Sequence, residues 1–184
     1  MPGNSESRST SAAPARAPLW LVLDVAQDAD GWSSVPDLDD LIERAGAAVA
    51  SHPRFRGYEP REACVGLSDD KAVQDLNHRY RGKDKPTNVL SFPAVATQPD
   101  PQGGPRALGD IVLALETVER EAQEQQLSLA HHFQHLVVHG LLHLLGFDHE
   151  TEADAAVMEG LEIEILAGLG IDNPYVEQVI AIDR

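Results

Sequence analysis

The chain has 184 residues, 42% hydrophobic and 24% charged, which suits one globular domain and excludes both wholesale disorder and a fibrous repeat. No apolar run reaches the roughly 18 residues of a spanning helix, and a single cysteine, Cys64, excludes an internal disulfide or a cysteine-based zinc finger and fits a reducing compartment, the cytoplasm. A formal charge of −16 argues against a protein that wraps nucleic acid over a broad face.

Residues 1–17 are rich in Ser, Ala and Pro and lack an apolar run, which predicts a disordered N-terminal extension and leaves 18–184 as a single domain. Leu19 to Val25 reads as a strand. From Pro36 the apolar positions Leu38, Leu41, Ile42, Ala45 and Val49 recur at helical spacing, and Ala63 to Leu67 reads as a second strand. Ser68 or Asp69 is placed to cap a helix that includes Val73 and Leu76 and runs to about Tyr80, where Gly82 ends it. Arg79, Arg81, Lys83 and Lys85 crowd into this helix end and the turn behind it, opposed only by Asp84. An anion-binding face is expected there.

Thr87 to Phe92 is β-rich and closes at Pro93; Ala94 to Arg106 is dense in Pro, Gly and polar residues and predicts a surface loop. Gly109-Asp110 reads as a turn that opens a strand from Ile111 to Leu115. The rest is helical: Glu116 to about Gln126, Ser128 to Leu145 stopped by Gly146, and about Thr151 to Leu169 stopped by Gly170. No internal repeat is visible. The order predicts an α+β fold: one small mixed sheet of about four strands with helices packed on it, and a metal site on a helix of the C-terminal half. The many acids of the last helix read as a solvated face.

Six of the eight histidines lie between His131 and His149. His139 and His143 stand one helical turn apart on one face. Gly146 can turn the chain so that His149 returns toward them. Three neutral imidazoles can hold Zn²⁺ and leave its fourth position open, the pattern of a catalytic rather than a structural site. His131, His132 and His135 read as solvated groups or as supports behind the ligands, and Asp148 either orients a ligand or caps the turn.

With Glu in place of Gly140 the run would be the metzincin pattern H-E-x-x-H-x-x-G-x-x-H, whose Glu is the general base. Without that base a metallopeptidase lacks the group that activates its water. The run from His139 to His149 (H-G-L-L-H-L-L-G-F-D-H), the stretch from Leu76 to Pro93 (L-N-H-R-Y-R-G-K-D-K-P-T-N-V-L-S-F-P) and Gly109-Asp110-Ile111 together closely resemble the YbeY family of bacterial endoribonucleases, over about residues 60 to 175.

The resemblance implies a zinc-dependent, single-strand-specific endoribonuclease of the cytoplasm, acting in maturation of the small-subunit (16S) rRNA 3′ end and in ribosome quality control. It places the three zinc ligands on His139, His143 and His149 and the functionally important arginine on Arg81. The partners it implies are single-stranded RNA or rRNA and the small ribosomal subunit or its proteins. Lys83 and Lys85 are candidates for further phosphate contacts, Asn88 for fixing the turn. Two other readings stand beside this one: a zinc peptidase with an unrecognised base, and a non-enzymatic ribosome-assembly factor whose zinc holds the fold together.

Overall fold

A computed structural model describes residues 20–95 and 104–176. The expected extension at 1–17 lies outside them, as do Leu19 and most of the expected loop from Ala94 to Arg106.

The chain runs β1 (Leu21–Gln27), α1 (Leu38–Ser51), β2 (Arg61–Ser68), α2 (Asp70–Arg81), β3 (Val89–Pro93), β4 (Arg106–Ala114), α3 (Leu115–Glu124), α4 (Leu129–Leu144) and α5 (Glu152–Gly168). The sheet order is β1-β2-β4-β3. β1, β2 and β4 are mutually parallel, and β3 pairs antiparallel with β4, Val89 opposite Leu113 and Pro93 opposite Gly109. This is the α+β, four-stranded mixed sheet that the sequence predicts. No helix among the described residues is long and apolar enough to cross a membrane.

β4 departs from expectation by starting at Arg106 rather than Ile111. Its first residues pair with β2, Arg106 with Arg61 and Ala107 with Glu62, before β3 joins at Gly109, and this tertiary pairing recruits residues whose composition favours a loop. Gly109 lies inside the strand, not in a turn. Its φ is 135°, and a Cβ there would sit 2.3 Å from the Phe92 carbonyl oxygen. Only glycine lets β3 and β4 approach so closely.

α4 is the central helix. Packed between the sheet and α1, α3 and α5, it buries Phe133, Val137, Val138, Leu141 and Leu142 completely, each contributing roughly 1.5–3 kcal/mol. Gln134 Nε2 donates to the Leu41 carbonyl of α1 at 3.1 Å. On the other face of the sheet α2 covers a smaller cluster of Val73, Leu90 and Ala114. Asp69 caps α2 by accepting from Ala72 N at 2.7 Å, and Gly82, at φ 67°, ends it.

Candidate metal centre

The sheet approaches α4 closely at Gly140, where a Cβ would stand 2.8 Å from Ile111 Cγ2. Ser91 Oγ also donates to the Gly140 carbonyl at 3.3 Å. These contacts hold the last two turns of α4 over the edge strand β3. Leu145 closes the helix, Gly146 follows at φ 92°, and Phe147 N returns to the Leu142 carbonyl at 3.0 Å. The chain thereby reverses as the glycine predicts.

That reversal brings His149 back to the helix. One donor atom from each of His139, His143 and His149 lies within 4.8 Å of the others. His139 and His143 are half-buried and His149 is exposed, and their ring centroids are 4.6, 5.0 and 5.6 Å apart.

Their protons are assigned by the groups behind them. His139 Nδ1 donates to Glu162 Oε1 at 2.5 Å, and His143 Nδ1 donates to the Phe147 carbonyl at 3.0 Å. The two Nε2 atoms, 3.1 Å apart, thus turn lone pairs toward one point. A tetrahedral ion with Zn–N bonds of about 2.0–2.1 Å separates two ligand nitrogens by roughly 3.3 Å, so this donor set fits zinc. Burial, then the neighbouring His139 and His149, lowers the His143 pKa to about 4, which keeps its imidazole neutral and able to ligate.

Glu162 was not anticipated from the sequence. It lies on α5 with no solvent exposure, in the face formed by Met158, Ile165 and Leu166 rather than among the solvated acids of that helix. Its carboxylate also accepts from His135 Nε2 at 3.3 Å and from the Tyr175 hydroxyl. Burial pushes its pKa up, but these donors outweigh burial and hold it at about 2. Burial and the Glu162 charge in turn raise the pKa of Tyr175. An acid at apolar helical spacing, three and four residues from apolar neighbours, is the signal that marks it.

The upstream histidines divide. His131 is exposed, and His135 supports His139 through Glu162. His132 is buried rather than solvated, and it shares Glu121 Oε2 with Asn88 Nδ2, both at 2.9 Å. Asn88 Oδ1 accepts from Val89 N at 2.7 Å, so Asn88 does fix the entry to β3. Asp148 caps the turn by accepting from Glu150 N at 3.1 Å.

A cavity of about 690 Å³ opens over the triad, lined also by Arg81, Lys83, Asn88 and Ser91. Arg81 and Lys83 are thereby brought to the histidines. Lys85 is not among the lining residues; its carbonyl accepts from buried Asn77 at 2.8 Å and ties the basic turn to α2.

Residues 28–170 match the family model described as Endoribonuclease YbeY. Similar proteins of that name include one from Bradyrhizobium sp. strain BTAi1, 50% identical over 154 residues that make up 82% of this chain and 89% of the relative. Another, from Rhodopseudomonas palustris strain BisB5, is 45% identical over 94% of this chain and 90% of its own length. A solution structure from Thermotoga maritima aligns with a TM-score of 0.46 at 22% identity, covering 80% of this chain and 91% of that one.

Proposed function

The chain belongs to the YbeY family of endoribonucleases, and from that premise we propose that it is a zinc-dependent, single-strand-specific endoribonuclease of the cytoplasm. Its work is maturation of the small-subunit rRNA 3′ end and ribosome quality control, with the small ribosomal subunit or one of its proteins as partner. The observation that carries this reading is the convergence of His139 and His143 Nε2, 3.1 Å apart, in the cavity that Arg81 lines.

His139, His143 and His149 would hold the ion, which when bound supplies Lewis acidity and positive charge at a phosphodiester. Arg81 grips two phosphoryl oxygens with its planar fork and stabilises the charge that develops on them. Lys83 and Lys85 add phosphate attraction from the same turn. Glu162 keeps the proton of His139 on Nδ1, and the Phe147 carbonyl does the same for His143. A peptidase base at position 140 would crowd the sheet: its Cβ would stand 2.8 Å from Ile111 Cγ2.

Purified protein is offered single-stranded RNA, a hairpin of the same sequence and an unfolded protein, with and without chelator. Cleavage of single-stranded RNA alone, stopped by chelator and restored by zinc, is the expected result. Intact RNA with metal-loaded protein, or cleavage indifferent to chelation, overturns it, and uncut RNA with unfolding on chelation assigns the zinc to holding the fold.

A further inference from the structure

We propose that Arg61 and Arg106 form a second phosphate-binding subsite, which holds the backbone of the substrate RNA strand beyond the metal cavity. This deepens the proposed function, since it rests on single-stranded RNA being the ligand.

Arg61 and Arg106 open β2 and β4 and are register partners in that parallel pair, so their backbones lie about 4.8 Å apart. Both are half-buried, and both line a cavity of about 320 Å³ with Pro93, Ala94, Leu108 and Leu144. Among the described residues neither guanidinium makes an ion pair, and the acids nearest in sequence, Glu59 and Glu62, make none with them. Arg44, Lys71 and Arg120 are each matched to an aspartate, Asp40, Asp75 and Asp70, whereas Arg61 and Arg106 share the unpaired state of Arg81 and Lys83 at the metal cavity. In a chain of net charge −16, two adjacent unmatched arginines repel one another, and a shared anion relieves that repulsion.

Position relative to the metal centre identifies the anion. Ser91 lines the metal cavity and Pro93 the arginine cavity, two residues along β3, while the consecutive residues His143 and Leu144 of α4 divide between the same two cavities. From Asn88 to Ala94 the extended chain covers about 20 Å at about 3.3 Å per residue. A polyanion laid along β3 therefore passes from Arg81 to the Arg61–Arg106 pair. Exposed Arg54 and Arg56 flank Phe55, whose ring packs 6.0 Å from that of Phe147 in the turn that carries His149. The chain is too acidic for broad capture of RNA, so discrete arginine grips on successive phosphates supply the hold.

The test compares RNA strands of about four and about sixteen nucleotides, using metal-loaded wild type and Arg61→Gln/Arg106→Gln, which keeps the packing of the aliphatic stems. The double variant is expected to raise KM for the long strand about tenfold, leave kcat unchanged, and cut the short strand at the wild-type rate. The slope of log affinity against log salt should fall by about 1.4, two phosphates at about 0.7 each. Arg61→Lys/Arg106→Lys should recover most of the affinity. Equal effects on both lengths, or none on either, overturn the subsite. So does a polyglutamate peptide that competes with the long RNA on wild type but not on the double variant, since the pair would then serve an acidic protein segment. Fluorescence anisotropy separates the two proposals: tight binding of uncut long RNA, loosened in the double variant, removes the nuclease reading and keeps the subsite.

Discussion

Glu162 of α5 accepts the Nδ1 proton of His139 of α4 across 2.5 Å, a contact that joins two helices and selects which imidazole nitrogen is left to ligate. Replacing Glu162 by Gln keeps the shape and removes the charge. Metal affinity should fall about 10–100-fold, measured by competition with a chromophoric chelator. Glu162→Ala also strands half-buried donors from His135, His139 and Tyr175, and should cost roughly 1–3 kcal/mol in denaturant melts. Unchanged metal affinity in the Gln variant contradicts the role given to this carboxylate.

His143 stands between the other two imidazoles, so His143→Ala should leave protein with no stoichiometric zinc on elemental analysis. Arg81→Ala should behave oppositely: full metal content, an unchanged melting curve, and cleavage slower by about 10²–10³-fold, the usual loss for one transition-state charge partner. Full activity in Arg81→Ala reassigns that exposed side chain to the surface.

At Gly140 the added methyl group of an alanine meets Ile111 Cγ2 at 2.8 Å. Gly140→Ala should therefore destabilise the fold by about 1–3 kcal/mol through overpacking and displace His139 from β3. The double variant Gly140→Ala/Ile111→Ala, which removes the clashing Cγ2, should lose less stability than the sum of the two single variants. No change in melting temperature for the single variant shows that α4 and the sheet can part at no cost.

Glu121 carries a pH signature. Burial raises its pKa, but hydrogen bonds from His132 and Asn88 outweigh burial and bring it below the ordinary 4.5. A depressed folded pKa means stability that is fully present above 4.5 and lost as pH falls through the lower folded value. Glu121→Gln cannot titrate. Its melting temperature should lie below that of wild type at neutral pH, with the gap narrowing as pH falls below 4.5; a constant gap refutes the coupling.

The convergence of the three histidines was legible because its geometry is local: a four-residue helical spacing, a glycine able to adopt positive φ, and a third histidine three residues on. Arg81 and Lys83 were legible as a charge cluster, although only the folded turn brings them over the histidines. Glu162 was not, because it stands beside Glu159 and Glu164, and only its apolar neighbours at helical spacing set it apart from them. The early start of β4 was also hidden. Arg106 to Leu108 has loop-like neighbours in the chain, and strand identity comes from β2, which is remote in sequence. Gly109 signals a turn to a reader of the sequence, yet its positive φ serves a close crossing inside a sheet.

Two of the three imidazoles are mounted on a helix locked into the core, and the third sits on a solvent-facing turn whose pivot is Gly146. The site is therefore a clasp with one fixed jaw and one hinged jaw. A bound ion would be reached most directly from the exposed His149 side, and its exchange would depend on the stiffness of the few residues after α4. Its affinity would depend on the interior packing that aims His139 and His143.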